Sequence, residues 1–360
     1  MQLPHKDIIK GWYPFPKREI DEYVSKGIWH NLTFGDILDR NIASIPDKIA
    51  FIDDYKSISW RELGQKSDRL AIHFKKLGLR YGDFVVTIVP NIVEFFYILF
   101  AMVRIGVIPV ACLPRHRKLE VFHMMALHEA RAIIVPVGER FDYVSMVKEF
   151  RADSPTLELF FTIGGSPVEG WISIEELLQQ EIEKDYPVNY LAQFKPDPND
   201  LVVEQLSGGT TGLPKGVPRT HNEYICIWDY MGRPAGNTDE SIFLCALPVA
   251  HNMNLSAITG PMCFRGGTTV ITKSTRPEDH FKLIEKHKIT NLGFVPLQIT
   301  YWMEAEGEMK KYDLSSLKVV VYVQAKSEKI FSFGVTHYLR CLRQAFFHKS
   351  ECLLPLGQAQ

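Results

Sequence analysis

Ser207-Gly208-Gly209-Thr210-Thr211-Gly212-Leu213-Pro214-Lys215-Gly216 directly follows an apolar run, residues 201–206, that reads as a buried strand. Gly208, Gly209 and Gly212 allow a backbone to approach a ligand closely, Thr210 and Thr211 offer hydroxyl donors, and Lys215 adds a positive charge. Together they make a cradle for phosphate. It is not a Walker loop, because Pro214 precedes the lysine and Gly216 follows it, where that loop has Gly before and Ser or Thr after. A nucleotidase of the P-loop type is therefore disfavoured. An ordinary glycine-rich turn would account for the glycines, but not for the Thr pair and the Lys in this order.

Two further stretches could meet an anion. Leu113-Pro114-Arg115-His116-Arg117 is a basic cluster after a strand, and Pro218-Arg219-Thr220-His221 is another just beyond the glycine-rich loop. Taken alone, each reads as a solvated loop. Leu247-Pro248-Val249-Ala250-His251-Asn252 runs from a strand into a helix start, where an isolated His-Asn pair reads as a cap with Asn252 in the N-cap position.

The elements that must hold these residues alternate. Ser59 and Glu62 form a capping box before Leu63, Leu70, Phe74 and Leu77, which recur at helical spacing until Gly78. A strand at 83–89, a helix at 92–105 and a strand at 108–112 follow; a strand at 132–135, a helix at 143–150 and a strand at 157–162 repeat the rhythm. After the Pro- and Asp-rich stretch 194–200 come strands at 201–206, 241–247, 268–272, 290–295 and 317–323, with helices from His221, at 277–287 and at 298–306. Strands alternating with helices predict an α/β protein with mainly parallel sheets and helices on both faces.

Bulk properties narrow the class. A chain of 360 residues with 46% hydrophobic side chains can bury a large core in two or more subdomains. The 41 basic and 42 acidic residues give a formal charge of -1, so no global field recruits nucleic acid or an acidic membrane. The six cysteines form no CxxC pair and read as reduced core thiols. The apolar segment 93–113 is broken by Glu94, Arg104, Gly106 and Pro109, so it reads as a helix and a strand and not as a membrane span. The first residues lack a secretory signal, and the expected location is the cytoplasm.

Residues 207–216 closely resemble the phosphate-binding motif of the acyl-adenylate-forming superfamily, whose loop embraces the β- and γ-phosphates of ATP. Leu113 to Arg117 and Pro218 to His221 are similar to segments of its aryl-acid adenylating branch, which serves siderophore synthesis. The resemblance implies the large N-terminal domain of the adenylate-forming fold, ATP and Mg²⁺ as cofactors, a hydroxylated benzoic acid as substrate and an aryl carrier protein as possible acceptor. It implies that Ser207 to Gly212 with Lys215 hold phosphate, that Lys215 and His251 act in catalysis, and that His251, Asn252 and Ala257 contact the acid. By resemblance, His251 lies beside the carboxylate and Asn252 bonds the ortho hydroxyl. No protein metal ligand is assigned. Relatives for 2,3-dihydroxybenzoate tend to carry Ser at position 257 and those for salicylate Cys; Ala257 cannot bond a 3-hydroxyl.

The resemblance runs from about Phe34 to Leu317 and is traceable to Lys326. Tyr322-Val323-Gln324 stands where the family has Val-Gly-Gly. Beyond Ser327 the family's magnesium-binding Glu, its ribose-binding Asp and its small C-terminal domain with the catalytic lysine are not matched. The resulting division is an N-terminal extension 1–33, subdomains 34–196 and 197–326, and a tail 327–360 that reads as a shifted reading frame or as a diverged ending. Adenylation by this chain is accordingly expected to be impaired. A broader acyl-CoA ligase and a non-catalytic remnant binding ATP or aryl acid are the alternatives.

Overall fold

The computed structural model describes residues 12–207 and 212–323 together with a short strand, Leu353–Leu356. Gly208 to Thr211, Gln324 to Lys326 and most of the tail expected at 327–360 lie outside the described residues.

Among the described residues, fourteen strands form two sheets of seven. They are β1 (Ile49–Ile52), β2 (Ser57–Ser59), β3 (Phe84–Ile88), β4 (Ile108–Cys112), β5 (Ala132–Pro136), β6 (Leu159–Ile163), β7 (Ile172–Ser173), β8 (Leu201–Ser207), β9 (Lys215–Thr220), β10 (Ile242–Cys245), β11 (Thr268–Ile271), β12 (Asn291–Phe294), β13 (Val319–Val323) and β14 (Leu353–Leu356). The helices are α1 (Lys17–Ser25), α2 (Phe34–Ser44), α3 (Trp60–Lys76), α4 (Glu94–Arg104), α5 (Lys118–Leu127), α6 (Tyr143–Lys148), α7 (Ile174–Gln179), α8 (His221–Gly232), α9 (Asn252–Asn254), α10 (Gly260–Arg265), α11 (Pro277–His287), α12 (Pro296–Glu304) and α13 (Glu306–Met309).

One sheet has the order β7-β6-β5-β3-β4-β8-β9 and the other β14-β13-β12-β10-β11-β1-β2. Every pairing is parallel except β8 with β9 and β1 with β2. The mainly parallel α/β fold expected from the sequence is therefore present. The division at 196–197 is not the division between the sheets, however. β8 and β9 come from beyond it and complete the first sheet, while β1 and β2 come from before it and complete the second. Strand partners are chosen by which edge is open, and a stretch of polar residues in the chain does not record that choice.

Two-residue periodicity distributes the strands' side chains between layers. Val86, Ile88, Val110, Ile133 and Val135 meet α5 and α6 on the outer face of the first sheet, while Val85, Ala111 and Ile134 turn to the main core. In the second sheet Leu244, Val270, Leu292 and Val320 pack with residues of α11 and α12, and Phe243, Cys245 and Ile271 face the same main core. Helix α4, apolar on all sides, is buried throughout that core from Glu94 to Val103. Phe96 of α4 stacks on Phe51 of β1 with centroids 3.8 Å apart. Helix α3 begins at the predicted capping box, with Ser59 and Glu62 bonding each other's backbone N–H groups, and stops at Gly78, whose φ of +95° is the left-handed conformation.

The expected N-terminal extension is anchored over its last residues. Trp29 is buried, Asn31 N–H donates to Asn222 Oδ1 at 3.0 Å, and His30 contacts Asp229 at 3.0 Å. Cys112, Cys226, Cys245 and Cys263 are free thiols, and burial pushes Cys112, Cys245 and Cys263 up to about 12. No helix among the described residues is long and apolar enough to cross a membrane.

Candidate active site

A cavity of about 510 Å³ opens where the C-terminal ends of six parallel strands converge. Pro90 and Asn91 follow β3, Leu113, Pro114 and Arg115 follow β4, and Glu139 follows β5; from the other sheet, Ala246 to Pro248 follow β10, Lys273 and Thr275 follow β11, and Val295 follows β12. In open α/β sheets this edge is where ligands bind, because the loops that leave the strands are free to vary while the strands fix their origins. The volume suits a small organic ligand.

The Leu113 to Arg117 segment divides by role. His116 is buried and its Nδ1 accepts the Leu113 N–H at 3.1 Å, which folds the turn. Arg117 stacks over Phe141 at 4.1 Å. Arg115 is exposed and lines the cavity. One cation of this cluster therefore faces the cavity, and the rest of the cluster builds the turn.

His251 lines the same cavity. It is the N-cap of α9, its Nδ1 accepting the Met253 N–H at 3.1 Å. This corrects the expectation that Asn252 caps the helix; Asn252 is the first helical residue, and its Oδ1 accepts from the Tyr224 hydroxyl at 2.7 Å. Because Nδ1 is an acceptor, Nε2 carries the proton of a neutral ring and is free to donate. Burial, and then the charge of Arg115, hold His251 below the ordinary histidine range, which favours that neutral form.

Asn252 and Ala257 do not line this cavity. Ala257 is buried in a single π-helical turn, Leu255–Thr259, that follows α9. Such turns interrupt the regular hydrogen-bond ladder and recur beside functional sites. Pro218 to His221 turn out to be structural: Thr220 and Glu223 form a capping box for α8, and His221 is buried with its Nδ1 accepting the Phe34 N–H at 3.1 Å.

Three cavity residues carried no sequence signal. Asn91 Nδ2 donates to Leu247 O at 2.8 Å and Thr272 O at 2.9 Å, while its Oδ1 accepts the Val249 N–H at 2.9 Å, tying the loops after β3, β10 and β11 together. Lys273 and Glu139 pair at 2.6 Å across the cavity from opposite sheets. A Pro-Asn dipeptide after a strand is the one clue that could have marked Asn91.

The glycine-rich stretch is the connection of an antiparallel hairpin. Ser207 ends β8 and Lys215 begins β9, in register with each other, and Ser207 Oγ donates to Lys215 O at 3.3 Å. Lys215 is exposed. Of the residues between, Gly212 is described and Gly208 to Thr211 are not. Among the described residues, no group of three or more His, Cys, Asp or Glu is placed to hold a metal ion.

A glycine- and threonine-rich hairpin connection and a cavity at the strand ends of two mainly parallel sheets are the features that the comparisons with known proteins bear on. The chain belongs to the AMP-binding enzyme family, whose model matches residues 38–331. It is 35% identical over 350 residues to the 2,3-dihydroxybenzoate-AMP ligase of Bacillus subtilis, covering 96% of this chain and 62% of that protein. It is 33% identical over 352 residues to the vibriobactin-specific 2,3-dihydroxybenzoate-AMP ligase of Vibrio cholerae, covering 95% and 62%. Among solved structures, apo MbtA of Mycobacterium smegmatis matches with a TM-score of 0.80 at 29% identity, over 94% of this chain and 59% of that one. The chain thus spans about three-fifths of the length of these relatives.

Proposed function

We propose that this chain binds ATP and a hydroxylated benzoic acid and contributes to forming the aryl-adenylate, the activated acid of siderophore assembly. The observation that carries the reading is the convergence of six strand ends on one cavity that holds Arg115, Lys273 and a neutral, donor-ready His251. In the reaction, a carboxylate oxygen attacks the α-phosphorus of ATP, the bond to the β-phosphate breaks, and pyrophosphate leaves. Both reactants are anions, so the protein's work is alignment and charge neutralisation, without a need for a general base.

ATP fits the residues present. The hairpin ends on exposed Lys215, which supplies a cation at the mouth of the glycine-rich connection. Arg115 lies in the cavity and forms no ion pair among the described residues, so its charge is available to an anion. His251 donates Nε2–H towards the acid's carboxylate, its ring held by the N-cap bond. Asn252 adjoins His251 just outside the cavity lining; with the Tyr224 hydroxyl on its Oδ1, its amide N–H₂ would be the donor to a ring hydroxyl that reaches past His251. Mg²⁺ would accompany the triphosphate and neutralise part of its charge. The acceptor of the aryl group would be the thiol of a carrier protein.

Pyrophosphate exchange into ATP by the purified chain, with salicylate, 2,3-dihydroxybenzoate, benzoate and a fatty acid supplied separately, tests the reading. Exchange that depends on an aryl acid supports it and ranks the acids. Exchange driven best by the fatty acid transfers the chain to the broader acyl-CoA ligases. A folded chain that binds ATP without exchange is a binding form of the family.

A further inference from the structure

Glu204 lies in β8, a strand hydrogen-bonded on both sides, by β4 and by β9, and the residue is only 5% exposed. A carboxylate in an interior strand is costly unless a partner meets it, and such departures from apolar patterning gather at functional positions. Its partner is His128, whose Nε2 lies 3.4 Å from Glu204 Oε1, with both side chains less than one-tenth exposed. The other ring nitrogen, Nδ1, is 2.8 Å from Met124 O. A carbonyl only accepts, so Nδ1 donates, and Nε2 is the ring atom that faces the carboxylate.

The pair sits over the backbone of Gly216. A Cβ added there would stand 2.2 Å from Glu204 Oε1 and 3.1 Å from His128 Nε2. Gly216 adjoins Lys215, and its register partner across the hairpin is Leu206, two residues beyond Glu204. His128 itself is a fixed post. It is the C-cap of α5, whose opposite end is held by the Arg117 N–H bond to Glu120 at 3.0 Å and by the Leu113–His116 turn at the cavity.

We propose that Glu204 and His128 are positioning residues for the phosphate hairpin: their buried contact, seated in the space that Gly216 leaves open, fixes β9 against β8 and so sets where Lys215 stands. The inference rests on the reading of the hairpin as an ATP site. It separates the pair from residues that merely fill the core, because its effect falls on one substrate.

The test uses Glu204→Leu, which keeps bulk without polarity, Glu204→Gln, which keeps hydrogen bonding without charge, and Gly216→Ala, which displaces the carboxylate from outside. Steady-state exchange is measured against ATP and against the aryl acid, and ATP affinity is measured separately by calorimetry. Glu204→Leu and Gly216→Ala are expected to raise the KM and the dissociation constant for ATP by about tenfold, the scale of one lost buried polar contact, with the aryl-acid KM within about twofold. Glu204→Gln should recover part of the loss, and Gly216→Ala should cost little more once Glu204→Leu is present. ATP affinity unchanged in Glu204→Leu, or KM values for both substrates rising together, overturns the proposal. If the unmodified chain supports no aryl-dependent exchange, the functional reading fails while calorimetry with ATP still decides the role of the pair.

Discussion

His221 has two properties that bear on stability. It is fully buried, and burial depresses its pKa from 6.5 to about 3. The unfolded chain therefore takes up a proton near pH 6.5 that the folded chain refuses until far lower, so stability is full above pH 6.5 and declines as pH falls towards 3. The decline approaches about 1.4 kcal/mol per pH unit at most. His221→Asn keeps an acceptor for the Phe34 N–H and removes the titration. Urea denaturation between pH 7 and pH 4.5 should show a weaker pH dependence in the variant, and an identical slope would assign the acid sensitivity elsewhere. At Ala257 the expected change is in preference. Ala257→Ser adds a hydroxyl at the position where, by the resemblance, enzymes for 2,3-dihydroxybenzoate tend to carry Ser. The ratio of kcat/KM for that acid over salicylate should rise about tenfold, the worth of one hydrogen bond.

The π-helical turn shows what one element requires of its neighbours. It ends against Gly260, where a Cβ would lie 1.9 Å from Trp228 Nε1 and 2.2 Å from Leu255 O. Neither the backbone carbonyl nor the buried indole of α8 has room to retreat. Gly260→Ala should cost about 1–3 kcal/mol, read as a lower urea midpoint at unchanged slope. Elements of this kind separate what the sequence discloses from what it does not. Strands β3 to β6 and helices α3, α4 and α11 were legible, because their apolar periodicity is a local record of burial. β9 was not: Lys215-Gly-Val-Pro-Arg-Thr has no alternation, and its strand character comes from pairing with β8. The glycine-rich stretch pointed to phosphate chemistry through residue types alone, and Gly208 to Thr211 lie outside the described residues. Asn91, Glu139 and Lys273 stayed silent, since an amide or an ion pair acquires its meaning only when loops from three strands or two sheets meet.

At the scale of the whole molecule, the main core is shared by both sheets, with α4 between them. Neither sheet can bury its inner face without the other, and the cavity at the strand ends inherits its geometry from that shared core. The sequence indicated two α/β halves but not the exchange of strands between them. β1 belongs to the sheet of β10 and β11, and pairs in parallel with β11 at Phe51–Thr269 and Ile52–Val270. For a chain emerging from the ribosome this placement imposes a wait. At roughly 5–20 residues per second, the roughly 200 residues that separate β1 from β11 take on the order of 10–40 seconds to appear. Throughout that interval Phe51 can pair with the short β2 and lacks the parallel partner on its other side, while β3 to β7 of the first sheet are available to one another well before β11 appears. Stalled nascent chains should therefore be cut by chymotrypsin after Phe51 when they end before Thr268, and resist once β11 has left the tunnel. The native fold thus hands one of its earliest strands to a trailing partner, and holdase chaperones that shield apolar segments gain their natural client in that delay.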